Sequence, residues 1–372
     1  MADEPSSHLP GLTVAITGAT GNVGTALLRR LSALPNGVSE IRGLARRQPP
    51  EVAPYRDVRW HLADLGEATS EQVLARFLDG ADAVVHLAWA LQPGRHPEQL
   101  RRVNVDGTRR VMRAATAAGV AHVVHMSSIG AYAPGAVGHR VSEDWPTTGI
   151  PSSPYSRDKS QAERVVREVT ARHPGTTVTV VRPTLVLQPE AAGEMGRYFL
   201  GPLLFGAARL LPSQVARRLP LPLPRLVVSF VHSDDVADAL VRILDRRAEG
   251  PFNLAAEPVL DSDALARALG SRRVPIPATA LRMAVQAAFT ARLTPTEPGW
   301  LDMGTRLPVL VTDRARTRLD WAPTYRGDEV LRQFVAAFGE GQGAPGPLLH
   351  PAGGASLDPA GDPANAPAPG AG

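Results

Sequence analysis

The 372 residues carry 40 lysines and arginines against 36 aspartates and glutamates, and no cysteine. That excludes a disulfide framework, thiol chemistry and a thiolate metal site, so no metal ligand set is assigned. The charges are interspersed and aromatics few, which gives no nucleic-acid footprint. No apolar leader opens the chain and no run of about 18 apolar residues interrupts it, so the expectation is a cytoplasmic protein without a membrane span.

Leu12 to Ile16 is an apolar run that reads as a buried strand, and Ala26, Leu27 and Leu31 give Thr25 to Leu34 a helical face. Between them lies Thr17-Gly18-Ala19-Thr20-Gly21-Asn22-Val23-Gly24, a glycine-rich strand-to-helix turn. Gly18 allows the tight turn, Gly21 lets the backbone approach a pyrophosphate, and Gly24 lets the helix pack on the strand. Free N–H groups at the helix start then face the phosphates, with Thr20, Asn22 and Val23 in the same cradle. Glu40 to Ala45 is a second strand. An acid near its end would bind ribose hydroxyls, but Arg46 and Arg47 stand there instead. Two cations suit a 2′-phosphate, so NADP(H) is the expected dinucleotide, with NAD(H) possible.

Asp57 to Leu62 reads as a third strand, Ser70 to Leu78 as a helix and Ala83 to Leu87 as a fourth strand leading into Ala88 and Trp89. Gln92 to Pro97 is a loop. Leu100 to Ala118 is a helix containing Asn104, and Ala121 to Met126 is a fifth strand ending at Ser127 and Ser128. This alternation predicts an α/β fold, a doubly wound parallel sheet with catalytic groups at the carboxyl ends of its strands. A Pro-containing loop, Gly135 to Pro154, precedes a helix from Tyr155 to Ala171 and a sixth strand from Val178 to Arg182.

Beyond Thr184 the pattern loosens. A strand from Val227 to Val231, a helix from Ser233 to Leu244 and a returning strand at Phe252-Asn253-Leu254 follow. Helices at Ser262 to Leu269, Ala278 to Phe289 and Asp328 to Phe338 complete the ordered part. The expected organisation is a flexible N-terminus at 1–10 and a Rossmann domain at 11–184 plus 226–254. A smaller C-terminal substrate lobe takes 185–225 and 255–340, and a Gly/Pro/Ala tail at 341–372 is too apolar-poor to order.

One compositional fact bears on chemistry. The chain has a single lysine, Lys159, and its other 39 basic residues are arginine. Lys159 stands four residues after Tyr155, so the two share one helix face. A phenol is too weak an acid to cycle at neutral pH, and a fixed cation beside it lowers its pKa. The pair can then serve as general acid and base on an alcohol or carbonyl oxygen, and the lysine can also reach ribose hydroxyls.

The glycine-rich turn, Tyr155-Ser156-Arg157-Asp158-Lys159, Arg182-Pro183 and Phe230-Val231-His232-Ser233-Asp234-Asp235-Val236-Ala237 occur in one consistent order. Together they resemble the extended short-chain dehydrogenase/reductases, the NAD(P)-dependent epimerase/dehydratase family. The resemblance implies Ser128 as third catalytic residue, four before Tyr132, with Ser127 facing the other way. It implies adenine contacts at Asp64 and Leu65, nicotinamide-side contacts at Leu87, Ala88 and Pro183, and, among the cofactor-side residues, Asn104 holding the backbone or a water near the active site. It also implies a possible homodimer through the helices after Asn104 and Tyr155. Two departures narrow the activity. Ile129-Gly130 replaces the Asp-Glu pair of nucleotide-sugar dehydratases, and the apolar Thr184 to Pro189 replaces a segment that meets a substrate diphosphate in the epimerases. The expectation is therefore an oxidoreductase acting on a small-molecule carbonyl or alcohol. A nucleotide-sugar epimerase is the alternative, to which arginines at 197, 217, 218 and 225 could contribute. A non-catalytic dinucleotide sensor fits less well, because the Tyr-Lys pair is kept.

Overall fold

The computed structural model describes residues 9, 11–34, 37–91, 97–193, 195, 220–340 and 349. Expectations for the N-terminus (residues 1–8 and 10), for 92–96, for Arg197, Arg217 and Arg218 and for the tail (apart from Leu349) lie outside the described residues.

Seven parallel strands form the main sheet: β1 (Thr13–Thr17), β2 (Glu40–Ala45), β3 (Arg59–Leu62), β4 (Ala83–His86), β5 (His122–Met126), β7 (Thr177–Pro183) and β11 (Gly250–Leu254), with the β6 pairing (Arg140–Val141) set apart. Their order across the sheet is β11-β7-β5-β4-β1-β2-β3. Every pairing within it is parallel. The chain starts at β1 and winds outward one way through β2 and β3. It then returns past β1 to β4 and winds the other way. The reversal between β1 and β4 opens the crevice in which such sheets bind ligands.

Period-two alternation divides the core between the two faces. Val14 and Ile16 join Leu27, Leu28, Val124, Val181 and Phe252 on one side. Ala15 joins Leu74, Phe77, Val84, Val111 and Val123 on the other. Because both faces are covered, the strands are near-continuous apolar runs. The first face is covered by α1 (Asn22–Ser32) packed against α6 (Ser233–Arg246). The second is covered by α2 (Ser70–Leu78), α4 (Gly107–Ala117) and α5 (Pro154–Thr170).

Helix α1 begins at Asn22, three residues before the expected start. Gly21 is its N-cap, extended at ψ −179°, so Asn22, Val23 and Gly24 already form the first turn. The expected single helix from Leu100 is in fact three pieces: α3 (Pro97–Arg101), a π-helical turn (Arg102–Asp106) and α4. The π turn carries Asn104, whose amide bonds both backbone groups of Ala90.

Smaller sheets lie beyond the main one. β8 (Leu185–Leu187) runs parallel to β10 (Val227–His232), which pairs antiparallel with β12 (Ala256–Asp261). Leu187, Phe230 and Leu260 bury against Val330 and Leu331 of the last helix, Gly327–Glu340. β9 (Leu221–Leu223) pairs with β13 (Arg273–Pro275), which leads into a helix at Ala278–Thr290 and another at Pro298–Arg306. β6 pairs with β14 (Val309–Leu310). Sequence periodicity had not marked the Pro298–Arg306 helix, the Asp313–Leu319 helix or these two-stranded pairs.

Candidate active site

The glycine-rich turn is as close-packed as glycine permits. Gly18 has φ +69°, and a Cβ there would lie 2.7 Å from Ala88 Cα. A Cβ on Gly24 would lie 2.4 Å from the Gly18 carbonyl oxygen. Gly21 is less crowded, a Cβ there lying 3.3 Å from that same oxygen. The first N–H groups of α1 have no intrahelical acceptor and carry the positive end of the helix dipole. Thr20 is buried beside them. The Asn22 side chain is largely engaged within the fold. It donates to the Val186 carbonyl at 2.9 Å and accepts from the Ser233 hydroxyl at 2.7 Å, which ties the turn to β8 and α6.

The remaining dinucleotide candidates lie along the same edge of the sheet. Leu87 and Ala88 donate backbone N–H groups to Thr17, so the end of β4 is fixed to the turn. Arg46 and Arg47 follow β2 and are exposed. Asp64, after β3, accepts the Gly66 N–H at 2.7 Å, closing its own turn well ahead of α2. Leu65 is buried in the α2–α4 core, where Gly107 comes close enough that a Cβ would lie 3.0 Å from it. Pro183 ends β7. The next residue, Thr184, has a buried hydroxyl without a hydrogen-bond partner among the described residues. A glycine cradle at a helix start, cations at the β2 end and an unsatisfied hydroxyl at the β7 end fit a dinucleotide with an amide at one end.

Ser128, Tyr155 and Lys159 meet at the carboxyl end of β5. Ser153 caps α5 by accepting the Ser156 N–H, with Pro154 at the first helical position, which sets Tyr155 in the first turn. The Ser128 hydroxyl accepts from Gly130 N at 3.0 Å and hydrogen-bonds the Tyr155 phenol. Ser127 points away and donates to Glu163 at 2.6 Å. Lys159 is 3% exposed and donates to the Met126 carbonyl at 3.0 Å. Its ammonium also lies 3.4 Å from the Trp89 ring centroid, a cation–π contact.

Electrostatics corrects one expectation. The cation was expected to depress the tyrosine. Instead, burial pushes Tyr155 up to about 12, with only the Ser128 hydrogen bond drawing it back. Lys159 is itself lowered to about 7 by burial, against the pull of Glu163 and Asp158. Its ammonium is drawn to Met126 and Trp89 and sits 6.0 Å from the Tyr155 ring centroid. Desolvation therefore outweighs charge coupling for both groups.

Trp300 and Met303 were not legible in the sequence as neighbours of Tyr155. Trp300 lies tilted against Tyr155 with centroids 5.0 Å apart, and Trp89 meets the same ring edge-on at 6.0 Å. A Cβ on Gly130 would lie 2.8 Å from the Tyr155 ring and 3.4 Å from Met303 Sδ, so glycine lets the ring lie flat there. His86 is a structural residue, held between Thr17 at 2.7 Å and Thr108 at 2.9 Å and lowered to about 3 by burial.

The profile of the NAD dependent epimerase/dehydratase family matches residues 14–255. An uncharacterised protein of Mycobacterium tuberculosis is 28% identical over 328 residues, which are 88% of this chain and 30% of that protein. The sterol demethylase protein B of Methylococcus capsulatus is 34% identical over 48% of this chain and 52% of its own length. The N-acetyl-alpha-D-glucosaminyl-diphospho-ditrans,octacis-undecaprenol 4-epimerase of Escherichia coli O157:H7 is 33% identical over 49% and 51%. This chain thus matches about half or less of these relatives' length. Among solved structures, the dTDP-glucose 4,6-dehydratase DesIV of Streptomyces venezuelae, crystallised with NAD and TYD, aligns with TM-score 0.64 at 22% identity, over 88% of this chain and 97% of its own. Among the described residues no helix is long and apolar enough to cross a membrane.

Proposed function

This chain belongs to the NAD dependent epimerase/dehydratase family, and we propose that within it the protein is an NAD(P)-dependent oxidoreductase moving hydride between nicotinamide C4 and a carbonyl or alcohol carbon. The observation that carries the reading is the meeting of Ser128, Tyr155 and Lys159 behind the apolar surfaces of Trp89, Trp300 and Met303. A bound nicotinamide dinucleotide supplies the hydride chemistry. The turn from Gly18 to Gly24 would hold its pyrophosphate, Asp64 and Leu65 its adenine end, and Leu87, Ala88, Asn104, Lys159 and Pro183 its nicotinamide end.

Tyr155 gives its phenolic proton to the substrate oxygen in reduction and recovers one in oxidation, while Ser128 hydrogen-bonds that oxygen. A phenol pushed up to about 12 is protonated at neutral pH, the form a general acid needs, and burial makes it a weaker acid than a free phenol. Dehydration lacks its acid/base pair, since Ile129-Gly130 stands in its place and a side chain at Gly130 would press into the Tyr155 ring. The Methylococcus relative, by its name, supports a sterol-like apolar substrate, whereas the Escherichia relative supports an epimerase.

One assay separates the two. With a panel of ketones and nucleotide sugars, net oxidation of NAD(P)H in step with product is expected. Epimerisation of a sugar at constant nicotinamide absorbance would overturn the oxidoreductase reading. The same preparation tests the cofactor. Arg46 and Arg47 should make NADPH bind more tightly than NADH, and replacing both with alanine should weaken NADPH selectively, read from nicotinamide fluorescence. Tighter NADH binding to the unaltered protein would remove the 2′-phosphate argument.

A further inference from the structure

Two tryptophans reach Tyr155 from distant parts of the chain, and each is placed by an identifiable device. Trp89 follows β4, and the backbone of the next residue, Ala90, is clamped on both sides by the Asn104 amide. Trp300 lies in the Pro298–Arg306 helix, which packs on the start of α5 at Gly299. A Cβ there would fall 2.5 Å from the Ser152 carbonyl oxygen and 2.9 Å from Ser153 Cα. That contact seats the helix against the α5 N-cap, two residues from Tyr155. The third member, Met303, sits one turn further along the same helix.

We propose that Trp89 and Trp300 are the specificity-determining residues of this site, and that together they select a flat, mostly apolar ring ketone. The proposal rests on the oxidoreductase reading above. Both indoles lie against the phenol ring, Trp89 edge-on at 6.0 Å and Trp300 tilted at 5.0 Å, so a carbonyl reaching Tyr155 brings its substituents against aromatic surface. Flat rings meet such faces by offset or edge contacts and gain from burying apolar area. A sugar would bring several hydroxyls against Trp89, Trp300 and Met303, whose polar hydrogen-bonding groups are the two indole N–H donors. The Trp89 N–H is buried with no hydrogen-bond partner among the described residues. One buried donor cannot satisfy a hydroxylated ring.

The test uses acetylnaphthalene as the flat ketone, butanone as a ketone too small to span both indoles, and UDP-glucose as the nucleotide sugar. Trp300→Ala and Trp89→Ala should each raise KM for acetylnaphthalene roughly tenfold or more, and several-fold more than KM for butanone, whatever change in kcat the two ketones share. Trp89→Phe, which keeps a ring over Lys159, should retain most of the affinity. Melting temperature and NADPH affinity, measured on every variant, identify any substitution that damages the site as a whole, and Trp89→Phe and Trp300→Ala then carry the result. Equal losses for both ketones, or no loss for either, overturn the proposal. If the unaltered protein reduces neither ketone, the oxidoreductase reading fails, and calorimetric binding decides the aromatic wall separately. Acetylnaphthalene binding that weakens in the tryptophan variants supports it. Binding that does not weaken, or weakening of UDP-glucose alone, refutes it.

Discussion

Lys159→Arg is expected to fold and to lose turnover by on the order of 10²–10⁴-fold, the range typical of a general acid/base contribution. If the position needed only a cation, arginine would serve, since 39 other basic positions already carry it. The surroundings are more demanding than that. The ammonium is 3% exposed, with the Met126 carbonyl at 3.0 Å and the Trp89 ring centroid at 3.4 Å. A guanidinium is planar, broader and brings five donors to a place with one carbonyl acceptor. Overpacking of that kind costs about 1–3 kcal/mol, so the variant should melt lower yet still cooperatively. Unfolding against pH gives an independent readout. Lys159 is lowered from 10.5 to about 7 in the folded chain, so between those values the unfolded chain binds the extra proton. This group therefore makes stability rise with pH from about 7 to 10.5. Arginine stays charged throughout, and Lys159→Arg should abolish that rise. Single-turnover hydride transfer at unaltered rates would refute the assignment.

Much of the fold was legible because parallel strands buried on both faces are short apolar runs separated by helical periods. β2 and α2 fall where the residues placed them. The start of α1 was not, because Asn22-Val23-Gly24 lacks an apolar face and Gly21 caps it without a side chain. The π turn was hidden, and the Asn104 amide that it aims at the Ala90 backbone makes a tertiary contact that no local pattern encodes. The site divides the same way. The spacing of Tyr155 and Lys159 is local and legible. The approach of Trp300 depends on Gly299 meeting Ser152, which no local pattern encodes. Tyr155 is pushed up, not down, because the enclosing rings desolvate it, and enclosure is a property of the assembled fold.

The same limit hid the ion pair on which the site stands, and it carries the largest expected effect on stability. Arg182, the last residue but one of β7, is 5% exposed, and Glu163 on α5 is fully buried. The guanidinium meets both carboxylate oxygens at 2.9 Å and donates to the Tyr132 hydroxyl at 3.0 Å and the Glu143 carbonyl at 2.9 Å. Tyr132 donates in turn to Asn253 on β11, whose backbone N–H goes to the Glu143 carboxylate, and Ser127 donates to Glu163. One charge pair thus joins β5, β7, β11 and α5 directly beside Ser128. Arg182→Met leaves the Glu163 carboxylate in the core with Ser127 at 2.6 Å and the half-exposed Arg167 at 3.4 Å. Removing one partner of a buried pair costs about 3–5 kcal/mol, because the remaining charge is uncompensated. Replacing both partners by apolar residues of similar size costs far less. Arg182→Met should therefore lower the free energy of unfolding in urea by about that amount, and adding Glu163→Leu should recover much of it. A double variant no more stable than Arg182→Met would show that the hydrogen bonds to Tyr132 and Glu143, rather than the buried charge, set the cost.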